Sequence, residues 1–304
     1  MSDLRTTYLG LELAHPIVPG ASPLADDLDG ARALEDAGAP AIVLRSLFEE
    51  QIEDGALAAA RHIDAYEDVH AEARSFFPAS AALAHGPDAY LDHLAKVCAA
   101  VDVPVIGSLN GVTLGGWLEY AALIERAGAS ALELNLYRLP LDPDDDARTL
   151  EARDLSIVTA VLERVSIPVA VKLSPFYTSL PHHARALEEC GAAGLVCFNR
   201  FYQPDIDPEI LVAKRELHLS TPSDLPLRLR WLAVLSAQRS LSLAASGGVH
   251  ECVGVVKALM AGAHATQMVS ALLRRGPAHL TEVVRDLDEW LDDHEYDSVA
   301  QLRG

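Results

Sequence analysis

Only three asparagines occur in the chain, Asn110, Asn135 and Asn199, and each closes a short apolar run of strand length. At average usage roughly a dozen would be scattered through loops and turns, so three at strand ends point to ligand contacts more than to turn caps. Lys172 carries the same message with a charge, because it sits inside the apolar run IPVAVKLSP. A buried ammonium is costly unless something offsets it. A ligand with partial negative charge is the better explanation, and an ion pair with Glu133 on the neighbouring strand is the alternative. Arg45, ending the run AIVLRS, repeats the pattern. Further on, ASGGVHECV sets Ser246, Gly247 and Gly248 between a strand and a helix, and TQMVSALLRRG sets Ser270 after the last strand. Bare backbone amides and helix N-termini at such turns favour an anion. Amides, one lysine and a glycine turn in these positions describe a site for a phosphorylated cofactor.

The elements that must position these groups are legible as alternating strands and helices. Strands are expected at His15–Ser22, Ala41–Ser46, Val103–Asn110, Ala131–Leu136, Ile167–Ser174, Gly194–Phe201, Leu241–Gly247 and Ala265–Ala271. Between them lie amphipathic stretches such as LGGWLEYAALIERAG and HECVGVVKALMAG, apolar at spacings of three and four. A weak repeat, EDAGAPAIVLRS, ERAGASALELNL, EECGAAGLVCFN and LMAGAHATQMVS, pairs a helix-ending glycine with the next strand. VDVPVIGSL and VSIPVAVKL each open a strand with proline, whose missing N–H is harmless there. Eight such units predict a (β/α)8 barrel spanning 1–304 as one domain, rather than an open doubly wound sheet, and no GxGxxG fingerprint follows the first strand. Two longer segments, 47–85 and 202–226, break the rhythm where lids or interfaces are usual. Every candidate residue above then falls at the C-terminal mouth of the barrel, its catalytic face.

Composition bounds the rest. Half the residues are hydrophobic and 22% are charged, so a large core is available. A formal net charge of −20 opposes binding to nucleic acid or anionic lipid. The first residues do not read as a secretory leader and no membrane-length apolar run occurs in the sequence, so a cytoplasmic protein is the expectation. Cys98, Cys190, Cys197 and Cys252 lie far apart and read as core filler, not as a metal or cluster site.

The stretches PGASPL, AIVLRS, ALELNL, IPVAVKLSP, LVCFN, AASGGV and GAHATQMVSAL resemble the class 1 dihydroorotate dehydrogenases over nearly the whole chain. The resemblance implies an FMN-binding barrel that transfers hydride from a substrate carbon to the flavin. By it, Ala21 and Ser22 lie beside the flavin ring, Arg45, Ser46 and Asn110 line the cofactor site, and Asn135 and Asn199 bond the ring or substrate. Lys172 approaches the N1/O2 edge, where a cation stabilises the anionic reduced flavin. Ser246, Gly247, Gly248, Val269 and Ser270 enclose the phosphate. A homodimer is a further expectation from the family.

The chain also departs from that family. In NLYRLP the position of the family's Cys or Ser base holds Arg138, and Pro140 replaces an asparagine. Arginine stays protonated and cannot remove a proton. Residues 47–85 contain no asparagine to grip a pyrimidine, Arg45 replaces a lysine, Val269 replaces a glycine, and STPSDLPLR replaces a glycine-rich segment. Replacement bases are Tyr137, with its proton affinity lowered by Arg138, and His182 or His183. Arg138 could instead clamp an anionic substrate through its planar fork. Three functions remain open at this point: an FMN oxidoreductase of a small anionic molecule, a flavin protein serving a redox partner, and a sugar-phosphate barrel using Lys172.

Overall fold

The computed structural model describes residues 2–48, 86–110, 114–136, 140–199, 205–209, 211–214 and 218–304. The strands are β1 Thr6–Tyr8, β2 Leu11–Leu13, β3 Ile17–Pro19, β4 Ile42–Val43, β5 Leu47–Phe48, β6 Val105–Asn110, β7 Ala131–Asn135, β8 Val169–Leu173, β9 Gly194–Cys197, β10 Asp205–Asp207, β11 Val212–Lys214, β12 Ser242–Ser246 and β13 Ala265–Met268. The helices are α1 Leu28–Asp36, α2 Gly86–Ala100, α3 Leu114–Arg126, α4 Ala147–Leu162, α5 Leu180–Cys190, α6 Leu225–Ser236, α7 Cys252–Met260, α8 Ser270–Arg275, α9 Ala278–Asp293 and α10 Val299–Leu302.

Parallel pairing runs β3-β13-β12-β9-β8-β7-β6-β4, with β3 and β4 adjacent across the closing seam. That path is the (β/α)8 barrel expected from the repeat, and all eight expected runs supply its strands. Helices end where the glycines require it: Gly191 adopts φ +102° after α5, and Gly128 the same φ after α3. Asp27 and Asp146 cap α1 and α4 by accepting from the N–H groups of Gly30 and Thr149, each at 2.7 Å.

Alternation along the strands sorts side chains into two cores. Leu132, Leu134, Val169, Val171, Leu173, Leu195 and Leu243 pack outward beneath the helices. Val18, Ala41, Val43, Ile106, Ala131, Ala170, Val196, Ala244 and Ala265 fill the barrel's interior. A hairpin of β1 and β2 stops the N-terminal end. Its turn, Leu9–Gly10, has positive φ at both residues (+53° and +76°), the pairing that suits a two-residue hairpin. Leu9 belongs to the interior cluster with Tyr8 and Leu13, and its N–H donates to Ser242 Oγ at 3.0 Å. A Cβ on Gly194 would come within 2.5 Å of Leu9 Cδ2, so a glycine at the foot of β9 makes room for the stopper.

The two ends of the described chain are tied together. Asp3 N–H donates to the Asp297 carbonyl and Val299 N–H to the Asp3 carbonyl, both at 2.9 Å. Ser2 N–H donates to Asp288 Oδ1 at 3.0 Å. Most of the segment 47–85 lies outside the described residues, and part of 202–226 forms the small antiparallel pair β10–β11. No helix among the described residues is long and apolar enough to cross a membrane.

Candidate cofactor site at the mouth of the barrel

Continuing the alternation one step past the apolar interior brings polar side chains into the same channel. On β7 the inward series is Ala131, Glu133, Asn135, and on β8 it is Ala170, Lys172. On β6 it is Ile106, Ser108, Asn110, and on β13 Ala265, Gln267. Each strand is therefore apolar at its foot and polar at its C-terminal end.

Two networks occupy that polar layer. Lys172 Nζ donates to Glu133 Oε1 at 3.0 Å and to Gln267 Oε1 at 3.1 Å, and Gln267 Nε2 donates to Glu133 Oε2. Lys172 and Glu133 are 6% and 1% exposed. The ion pair weighed as the alternative from sequence is thus present, so burial of Lys172 does not by itself demand a ligand. Beneath it, the Tyr8 hydroxyl is buried without a hydrogen-bond partner among the described residues, and burial together with the Glu133 charge raises its pKa well above the usual phenol range. In the second network Asn135 Nδ2 donates to Ser46 Oγ and Ser108 Oγ, both at 2.9 Å, and those hydroxyls lie 2.8 Å apart. Asn135 and Lys172 are register partners, which sets the two networks side by side.

Arg45 is half-buried, with Nη2 3.2 Å from Asp26 Oδ2, and burial lowers its pKa against the opposing pull of Asp26. Ser22 is buried at the turn after β3, and Ala21 packs against the interior cluster. Asn110 and Asn199 are half-buried at the ends of β6 and β9, and Asn199 N–H donates to the Leu173 carbonyl at 2.8 Å.

The turns after β12 and β13 meet through a residue not singled out from sequence. Ser220 Oγ accepts from Gly248 N–H at 3.2 Å and donates to Ser270 Oγ at 2.9 Å. Ser220 N–H also donates to Ser270 Oγ, at 3.0 Å. Gly247 and Gly248 take φ +89° and +84°. A Cβ on Gly248 would meet Leu225 N at 2.4 Å, so the start of α6 rests directly on this turn. Arg228, on the first turn of α6, donates from Nε to the Ser246 carbonyl at 3.0 Å and from Nη1 to the Asp224 carbonyl at 2.8 Å. Val269 is half-buried, with Cγ2 close to Gly20. Hydroxyls, a guanidinium and a glycine turn form a donor set suited to a phosphate.

Tyr137 and Arg138 lie outside the described residues. His183 is 1% exposed, its ring stacked on Tyr177 at 4.4 Å, while Tyr177 Oη donates to Asp154 Oδ2 at 3.2 Å. His182 is exposed, with Nδ1 3.1 Å from Arg185 Nη2. A base must reach the proton it removes, which the sealed ring of His183 does not. Burial holds His183 and His264 at about 4, below their ordinary 6.5. The unfolded chain therefore binds more protons than the folded one between about 6.5 and 4. Stability present above that window is lost as pH falls through it, and the urea midpoint is expected to drop between pH 7 and pH 4.5. His183→Phe, which keeps the stack on Tyr177, should flatten part of that drop. An unchanged pH profile in the variant would assign the loss elsewhere.

Fold and layer together define a (β/α)8 barrel with its polar chemistry gathered at the C-terminal mouth, the architecture of a barrel enzyme. Residues 72–291 match the family model described as dihydroorotate dehydrogenase. The chain belongs to that family, among the oxidoreductases acting on CH–CH donors. It is 30% identical over 208 residues to the catalytic subunit of dihydroorotate dehydrogenase B (NAD(+)) from Shouchella clausii, covering 67% of this chain and 68% of the relative. The protein of the same name from Thermoplasma acidophilum is 25% identical over 312 residues, 100% of this chain and 99% of the relative.

Proposed function

We propose that the chain is an FMN-dependent oxidoreductase acting on a CH–CH bond of a small anionic molecule. The observation that carries this reading is the change from an apolar interior to the paired networks around Lys172 and Asn135 at the mouth. The residues present fit the group: amide and ammonium donors for a polar ring at one side, and Ser220, Ser270 and the Gly247–Gly248 turn for a phosphate at the other. Bound FMN would supply an N5 atom able to accept or give hydride. Lys172 and Asn135 hold and orient the ring, with Ala21, Ser22, Arg45, Ser46, Asn110 and Asn199 around it. Arg138 clamps the substrate's anionic group, and Tyr137 beside it is the candidate proton acceptor. The reading takes 1–304 as one domain of a cytoplasmic homodimer.

A second reading keeps the flavin and moves turnover to a partner protein. The loss of the Cys or Ser base to Arg138, and of an amide to Pro140, favours it. So do relatives named as catalytic subunits, a term that implies an assembly.

Purified protein is expected to be yellow, with flavin absorption released on denaturation. A colourless protein that takes up no added FMN sinks both readings and leaves the sugar-phosphate barrel. Stopped-flow reduction of the bound flavin by small carboxylates, with Arg138→Ala alongside, separates the first two. Enzyme behaviour requires reduction faster than free FMN under the same conditions, and a marked slowing in the variant.

A further inference from the structure

Arg228 is held in place more firmly than a surface arginine needs to be. Two of its nitrogens are committed to main-chain carbonyls, Nε to Ser246 and Nη1 to Asp224, which fixes the plane of the guanidinium. The third, Nη2, is thereby brought over the Gly247 backbone, 3.0 Å from where a Cβ would stand. It is therefore held beside the turn whose next residue, Gly248, donates to Ser220, which in turn bonds Ser270. Asp224 favours the charged guanidinium through space, while its Oδ2 accepts from Thr221 N–H at 2.7 Å. Burial lowers the pKa of Arg228, but a guanidinium remains charged at any ordinary pH.

A fixed cation at this point answers a specific electrostatic need. With a formal net charge of −20, the chain repels a dianion before any contact forms. Hydroxyls and amides supply hydrogen bonds at the turn, while Arg274, a second guanidinium nearby, is exposed and directs Nη2 to the Leu219 carbonyl at 3.5 Å. Arg228 adds the positive charge within a partly buried site, where salt screens it less than in open solvent.

We propose that Arg228 is the residue by which this barrel selects a phosphorylated flavin over its unphosphorylated counterpart. The inference rests on the flavin reading above and adds the source of its discrimination. It separates two roles that the geometry alone combines, clamping the turn and presenting charge.

Fluorescence-quenching titrations of the flavin-stripped full chain with FMN and with riboflavin test it. Arg228→Met is expected to weaken FMN binding roughly tenfold to a hundredfold, the scale of a charge-assisted contact, and riboflavin binding less than about threefold. Arg228→Lys should recover part of the loss, because the charge returns without the planar fork. In the parent, FMN should bind roughly tenfold or more tightly than riboflavin, a measurement that does not depend on any variant folding. Equal losses for both flavins would reduce Arg228 to a clamp and overturn the proposal. A parent that binds both flavins equally well refutes this inference alone, whereas a parent that binds neither refutes the flavin reading beneath it.

Discussion

Lys172→Met alone will destabilise the chain by about 3–5 kcal/mol, and Glu133→Leu alone by a similar amount, because each leaves its partner buried without a counter-charge. Both replacements together will cost far less than the sum. The ammonium and carboxylate stand 3.0 Å apart with almost no exposed surface, so neither can recover its lost partner from water. With both charges gone, the remaining penalty is about 1–3 kcal/mol for the Gln267 amide that served them. Denaturation midpoints for the four proteins form a double-mutant cycle, and additive losses would show that the two groups do not act as a pair. The same proteins examine the cofactor assignment. If the stable double variant holds FMN as tightly as the parent, Lys172 has no part in binding it.

Gly248→Ala is expected to lower stability by about 3 kcal/mol or more and to abolish FMN retention. Its φ of +84° strains any L side chain, and its Cβ would stand 2.4 Å from Leu225 N and 2.8 Å from Leu225 Cα. Backbone at the start of a helix cannot yield as a side-chain tip can. α6 would have to back away, taking Arg228 from the Ser246 carbonyl and the neighbouring Ser220 from Gly248 N–H. Gly247→Ala provides the control. Its φ of +89° brings a similar strain, but its Cβ meets the Arg228 guanidinium, Nη2 at 3.0 Å and Cζ at 3.4 Å, rather than backbone, so about 1–2 kcal/mol is expected. Comparable losses for the two alanines would refute the seating of α6 on this turn.

The barrel was legible because all but one of its strands carry a local signature: a glycine or proline, then an apolar run, then a polar residue at the far end; the exception is β12, which follows SAQRSL. Asn110 and Asn135 lie where that reading puts them, at the mouth. The alternation that separates Glu133 and Asn135 from Leu132 and Leu134 was also written in the sequence, and it would have named Ser108 and Gln267 as inward neighbours. What period-two logic does not provide is contact across the barrel. Gln267 and Glu133 are 134 residues apart, and only closure of the ring brings them together. Ser220 and Arg228 lie in and after a proline-rich stretch with little regular pattern, so their meeting with Ser246 and Ser270 was out of reach. The hairpin β1–β2 is built from three-residue strands, too short for periodicity to register. The sequence also left two explanations for Lys172, because an ion pair and a ligand offset a buried ammonium equally well.

The tie between the two ends of the chain bears on how the molecule is made. Among the described residues β3 is hydrogen-bonded to β13 alone, and the hairpin before it is fastened near Asp288 and Asp297. A nascent chain emerging from the ribosome therefore holds an open sheet with a bare first edge until β13 has been synthesised. Such edges invite pairing with other chains, so the interval before ring closure is when this protein is most exposed to aggregation.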